Sequence, residues 1–422
     1  MVIIRLDGMP FGLMRKFAQD GTMPNFGRLT REGTFRQMAS SIPEISSVAW
    51  SSVITGRNPG AHGIYGFTDI APGTYRLTFP NFRSLQVAPF WERAGSGRSV
   101  IINVPMTFPA REMNGVLIAG FVALDLKRAT WPASLLPTLH KMNYRVDVDS
   151  QKAHQSLRLF LQDLEETLQA RIAAYRYLWQ HEKWDTFMLV FTGTDRLAHF
   201  LWDAYEDEQH EFHQAFISHF QQIDQVIGEI YRSLRPGDRL LMLSDHGFER
   251  VKRNVFINHV LREQGFLSFE EGGPPTLRTI AGEARAFALD PGRIYLHFQD
   301  RYPRGRVQAS DKEALLRDLE AVFGSLEFQG EPVIKRMYRA EELYSGDQIY
   351  RAPELVLLGQ AGYNLRGNMR PSTLFGQDIF TGKHSQEDAF LLVWGNAVPA
   401  KYWSDLVTVS DVVPIMDRLR GG

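Results

Sequence analysis

The chain has 422 residues, with 47 Lys plus Arg set against 48 Asp plus Glu, and it contains no cysteine. Apolar types at 44 % and charged types at 23 % supply a sizeable core, which excludes a disordered or collagen-like chain and suits one large α/β domain with an insertion, or two domains. A formal charge of -1 gives no global field for nucleic acid or an anionic membrane, and the missing thiols exclude disulfides, thiolate zinc sites and a cysteine nucleophile.

The first residues, Val2-Ile3-Ile4-Arg5-Leu6, predict a strand that begins at once, without the basic region and apolar core of a leader. The chain therefore reads as cytoplasmic, and a mature secreted chain stripped of its leader looks the same. From Ile42 to Gly56 the pattern predicts an extended lead-in and then a helix of three turns, closed by Gly56 and with Ser46 or Ser47 at its N-cap. Ser99 to Val104 and Gly115 to Ala119 read as strands. The longest uncharged apolar stretch, Gly115 to Leu124, is about half of the ~20 residues that a membrane span needs. Ser156 to His181 and Gln209 to Leu234 read as long helices on either side of a strand at Thr186 to Phe191, and Pro236 stops the second. Strands at Arg239 to Leu243, Leu355 to Leu358 and Phe390 to Trp394 complete the set. Such alternation predicts an α/β fold with a mostly parallel central sheet and helices on both faces. Residues 266–350 change character, with Glu270-Glu271-Gly272-Gly273-Pro274-Pro275 and then Arg293, Arg301, Arg304 and Arg306. We read them as an inserted cap, leaving 1–265 and 351–422 as the core, and the arginines as a solvated face.

In an open parallel sheet the ligand site lies beyond the carboxyl ends of the strands. Asp7-Gly8 follows the first strand, Thr192-Gly193-Thr194-Asp195 follows the Thr186 strand, and Ser244-Asp245-His246-Gly247 follows the Arg239 strand. Three Asp and one His thus reach one edge, with Gly8, Gly193 and Gly247 placed to let the backbone turn. Asp195 and His199, four apart, share a helix face and can bind one ion. A buried Asp245-His246 pair needs a bound partner to offset its desolvation. Taken alone, His384 in Thr381-Gly382-Lys383-His384 reads as an ordinary loop histidine. A serine hydroxyl at the start of the Ser46 helix caps it by default, yet it also lies in a positive dipole that suits an alkoxide or a phosphate.

Taken in order, Asp7-Gly8, Ser46 opening a helix that ends Thr55-Gly56, Asn58-Pro59-Gly60-Ala61-His62-Gly63-Ile64, Asp195 with His199, Asp245-His246-Gly247 and His384 resemble the alkaline phosphatase superfamily. The likeness is strongest to its type I phosphodiesterase and nucleotide pyrophosphatase branch and the bacterial phosphohydrolases related to it, and it runs from residue 1 to about 395. The resemblance implies an alkaline-phosphatase-like fold in which Asp195, His199 and His384 bind one metal ion. It likewise implies that Asp7, Asp245 and His246 bind a second, with Ser46 as nucleophile reaching toward it and His62 purely structural. Nucleotide pyrophosphatases usually carry Thr-Phe-Pro-Asn where this chain has Ser46-Ser47-Val48-Ala49, which argues against a nucleotide diester preference.

An Asp/His set without thiolates suits Zn²⁺ first and Mn²⁺ second. The resulting expectation is a two-metal phosphohydrolase that cleaves phosphodiester or pyrophosphate bonds in a small-molecule phosphate ester through a phosphoseryl intermediate on Ser46. Lys383 and the arginines from 293 to 306 are the candidates for neutralising further phosphate charge. A phosphomonoesterase or a phosphomutase of the same superfamily is the runner-up, and an inactive metal-binding interaction protein is the reading from another class. Retention of all six candidate ligands and the hydroxyl speaks against the last. The sequence assigns no oligomeric state.

Overall fold

Strands buried on both faces read as unbroken apolar runs, because every second side chain enters a different core. In the computed structural model, which describes residues 1–123, 125–395 and 406–421, the runs behave in this way. Leu124, the end of the Gly115 run, and residues 396–405 and 422 of the C-terminal core segment lie outside the described residues. Ile4, Leu6, Ile102, Leu189 and Met242 face one core, under the helices Phe11–Gln19, Leu157–His181 and His213–Ser233. Ile3, Ile101, Val190 and Leu241 face the other, where Trp50, Val53 and Ile54 of the helix Ser46–Thr55 pack with Val412 and Met416.

The central sheet has eight strands in the order Thr34–Met38, Ala389–Trp394, Leu240–Leu243, Val2–Leu6, Thr186–Phe191, Ser99–Val104, Gly115–Ala119, Thr130–Trp131. The five from Leu240–Leu243 to Gly115–Ala119 are mutually parallel. Antiparallel strands close both edges, among them the predicted strand near Phe390.

Local chemistry explains the helix ends. Ser156 caps Leu157–His181 by accepting the Arg158 N–H at 3.2 Å. The next long helix starts at His213 and not at Gln209, because Asp207 Oδ1 accepts the Gln209 N–H at 2.9 Å and turns the chain first.

One predicted strand belongs to a different sheet. Leu355–Gly359 lies in a four-stranded antiparallel sheet ordered Ala286–Leu289, Arg293–Leu296, Leu355–Gly359, Ile334–Arg339. Leu355 and Leu357 enter a separate core with Phe287, Ile294, Leu316 and Phe323. A short apolar run specifies burial but carries no label for the sheet that provides it.

Candidate functional site

The strands Leu240–Leu243, Val2–Leu6 and Thr186–Phe191 are neighbours, so their carboxyl ends deliver Asp245-His246, Asp7 and Asp195 to one spot. Asp195 sits in the first turn of the helix Gly193–Glu206, and His199 follows one turn later. Of the three glycines, only Gly8 uses a left-handed backbone, at φ 70°. A Cβ there would stand 3.1 Å from both Asp195 Oδ1 and His246 Cε1. Gly247 serves instead by close approach, since a Cβ would meet Ser385 Oγ at 2.5 Å.

That approach is what brings His384 in. The strand Gly382–Ser385 pairs antiparallel with Gly247–Arg250, which sets His384 opposite Phe248. His384 is therefore no loop histidine.

Ser46 opens the helix Ser46–Thr55 as its first residue, and the N-cap is Ile45, without a side-chain bond. Neither serine caps the helix, contrary to expectation. Ser46 Oγ instead lies 3.1 Å from His246 Nε2, whereas Ser47 Oγ is buried without a hydrogen-bond partner among the described residues. His62 donates from Nε2 to Ser52 Oγ at 3.0 Å and accepts the Ile64 N–H at Nδ1, which makes it a structural tie.

Six candidate ligands form two triads, Asp195 with His199 and His384, and Asp7 with Asp245 and His246. Within each, one donor atom per residue lies within 4.8 Å of the others. Each histidine gives its Nδ1 proton to a backbone carbonyl: His199 to Gly382 at 3.1 Å, His384 to Glu44 at 2.9 Å and His246 to Gly247 at 3.0 Å. A carbonyl only accepts, so all three Nε2 atoms keep bare lone pairs aimed inward. His199 Nε2 and His384 Nε2 are 3.1 Å apart, and burial lowers the proton affinity of both rings. Burial and the neighbouring His384 push His246 down to about 4. Two facing lone pairs without a proton repel unless a cation lies between them.

The carboxylates point to the same conclusion. Burial raises Asp7 well above its ordinary range, and the charges of Asp245 and Asp195 add to this. Burial and Asp195 raise Asp245 to about 7, and its Oδ2 has no hydrogen-bond donor among the described residues. Burial acts on Asp195 as well, but His199, His384 and Arg196 outweigh it and hold that carboxyl low. Three crowded carboxylates, one of them with an orphaned oxygen, and three inward lone pairs form a donor set that fits hard or borderline divalent cations.

Positioning groups that the strand-end reading did not single out surround this centre. Arg196 binds Asp195 Oδ2 at 3.1 Å and Asp147 Oδ2 at 2.8 Å. Trp50 Nε1 donates to Asp7 Oδ1 at 3.2 Å, and Thr194 Oγ1 donates to the Asp7 carbonyl at 2.7 Å. Position beside Asp195 was the only sequence signal for Arg196 and Thr194.

A cavity of about 260 Å³ adjoins the triads, with Ile45, Phe67 and Phe380 as apolar walls and Asn364, Arg366 and Lys383 as polar ones. Lys383 is already paired with Glu249 at 2.9 Å. The arginines expected on a solvated face are mostly internal ties. Arg293 is fully buried, Arg301 pairs with Glu354 at 2.8 Å, and Arg304 donates to the Ile280 carbonyl at 2.8 Å. Strand Arg293–Leu296 is buried on both faces, which takes Arg293 inward with it.

Residues 1–386 match the family described as type I phosphodiesterase / nucleotide pyrophosphatase. Among curated proteins none matches the sequence. Phosphonoacetate hydrolase from Sinorhizobium meliloti 1021, solved with phosphonoacetate, superposes with a TM-score of 0.65 at 15% identity, covering 97% of this chain and 93% of that one. Murine ectonucleotide pyrophosphatase / phosphodiesterase 5 gives 0.57 at 11% identity over 100% of this chain and 95% of its own. An inactive form of that murine protein, solved in complex with AMP, gives 0.56 at 12% identity, covering 100% of this chain and 94% of that one. At these identities the likeness speaks for the alkaline-phosphatase-like fold.

Proposed function

This chain belongs to the type I phosphodiesterase / nucleotide pyrophosphatase family of metal-dependent phosphoester hydrolases, and on that premise we propose a two-metal mechanism through a phosphoseryl intermediate on Ser46. The observation that carries the proposal is the convergence of three bare Nε2 lone pairs, three carboxylates and the Ser46 hydroxyl on one sheet edge. Asp195, His199 and His384 hold one cation in this reading, and Asp7, Asp245 and His246 the other. Zn²⁺ fits the donor set best, with Mn²⁺ second. Bound there, the two ions neutralise phosphate charge and lower the pKa of the serine hydroxyl.

The chain's own groups do the rest. Ser46 Oγ gives its proton to solvent and attacks phosphorus in line, and the ester oxygen on the far side departs with the bonding pair. In the first turn of the Ser46–Thr55 helix the Val48 and Ala49 N–H groups both bond the Ile45 carbonyl at 3.0 Å, so it is the Ser46 and Ser47 N–H groups that face the charge that develops. Water then attacks the phosphoserine from the opposite side and regenerates the hydroxyl. Diesters or pyrophosphates are preferred over monoesters, because Lys383 is neutralised by Glu249 and is not free to answer a second phosphate charge.

Protein reconstituted with Zn²⁺ or Mn²⁺ is expected to hydrolyse bis-p-nitrophenyl phosphate faster than p-nitrophenyl phosphate, and acid quenching is expected to trap a p-nitrophenyl phosphoryl group on the Ser46 peptide by mass spectrometry. Monoester turnover alone would overturn the diester preference, and label on another residue would overturn the nucleophile.

A further inference from the structure

A second and larger cavity, of about 920 Å³, adjoins the candidate site, and Thr68 and Asp290 line both spaces. Arg293 makes this shared wall rigid. Its buried guanidinium donates to the Asp290 carbonyl at 2.7 Å and to the Thr68 carbonyl at 3.1 Å. Gly66 is pressed against it so closely that a Cβ would stand 2.5 Å from the guanidinium.

Three arginines reach the larger cavity from separate segments: Arg76 beside the strand Leu77–Thr78, Arg278 in the turn Leu277–Thr279, and Arg370 in the loop after Tyr363–Arg366. Among the described residues none of the three guanidiniums has a hydrogen-bond or ion-pair partner. The floor is apolar, with Phe256, Leu289 and Met369. Asp290, the one acidic residue of the lining, is already answered: its Oδ1 accepts the Gly367 N–H at 2.5 Å and faces Arg366 Nε at 3.9 Å. The charge pattern is thus the reverse of that in the smaller cavity, where Lys383 is paired.

Guanidinium forks bind phosphate oxygens in a bidentate geometry, and a cavity of this size holds a body larger than one phosphate. We propose that the larger cavity is a second substrate subsite, taking the arm beyond the scissile phosphate, and that this arm carries a phosphate of its own on an apolar or aromatic body. The inference rests on the phosphohydrolase reading and names the substrate class within it.

Two chromogenic diesters test it: the p-nitrophenyl ester of thymidine 5′-phosphate, and the same compound bearing a 3′-phosphate. Wild type loaded with Zn²⁺ or Mn²⁺ is expected to favour the phosphorylated ester by about tenfold in kcat/KM, mainly through KM. In Arg278→Ala/Arg370→Ala that ratio is expected to fall to about two or less, and in the paired Lys variants to stay above it. Calorimetry on the metal-free protein supplies a readout without turnover. Thymidine 3′,5′-bisphosphate should bind more tightly than thymidine 5′-phosphate, and the double Ala variant should lose the difference. Equal use of both esters by wild type, or a ratio that survives the double variant, overturns the subsite. An enzyme that hydrolyses bis-p-nitrophenyl phosphate but neither thymidine ester overturns the subsite alone, whereas one that hydrolyses none of the three overturns the phosphohydrolase reading and the subsite with it.

Discussion

Replacing Asp245 by Asn should move stability and metal affinity in opposite directions. Without metal, burial and Asp195 raise the Asp245 carboxyl to about 7 from an ordinary 3.8. The folded protein therefore keeps a proton there that the unfolded chain has already released. Stability falls as pH rises from about 4, and the loss is complete above about 7. A difference of about three units at 1.36 kcal/mol each makes ionisation of this buried group cost about 4 kcal/mol. Asparagine removes that cost. Its carbonyl can keep the Gly8 N–H now held by Oδ1 at 3.2 Å, and its amide can donate to His246 Nε2, now 3.3 Å from Oδ2. An unfolding entropy of about 0.9 kcal/mol/K for a chain this long turns 4 kcal/mol into a rise of about 4 °C. Scanning calorimetry of EDTA-treated proteins should show that rise at pH 8 and little of it at pH 4. Zn²⁺ should then stabilise the variant less than wild type, with elemental analysis finding fewer than two equivalents bound. A variant that is no more stable than wild type at pH 8 when metal-free, and that still takes up two equivalents when reloaded, would refute the ligand role and the electrostatic argument together.

Ser46→Ala should reduce turnover by at least about a thousandfold with metal content intact, whereas Ser47→Ala, which removes a hydroxyl without a hydrogen bond among the described residues, should keep kcat within about twofold. Steady-state assays with elemental analysis decide between the two serines, and the reverse result would shift the nucleophile by one residue. Gly8→Ala forces a left-handed alanine, at about 1–2 kcal/mol, and pushes on Asp195 and His246, so metal affinity measured by titration should drop more than thermal stability does. In Arg293→Met the Thr68 and Asp290 carbonyls lose their donor, each worth about 1–3 kcal/mol, and calorimetry should record a melting point lower by roughly 2–7 °C. An unchanged melting point would show that the shared wall does not depend on this residue.

Much of the site was legible because its chemistry is local. An apolar run that ends in Asp-Gly, Gly-Thr-Asp or Ser-Asp-His-Gly states both that a strand is buried and that its end is polar, and three such strands proved adjacent. The spacing of Asp195 and His199 likewise needed only one helical turn. His384 was different: without the resemblance it read as a loop residue, and its place follows from pairing with a strand far back in the chain.

Length, composition and apolar period determined the α/β class, most strand limits and the polar strand ends, since these depend on which faces of an element are buried. Tertiary structure alone decided that Leu355–Gly359 joins a second sheet, that Arg293 is an internal brace, that neither serine caps its helix, and that Arg76, Arg278 and Arg370 share one cavity. The physical reason is that periodicity records burial, whereas partners are chosen by register and packing between segments distant in sequence.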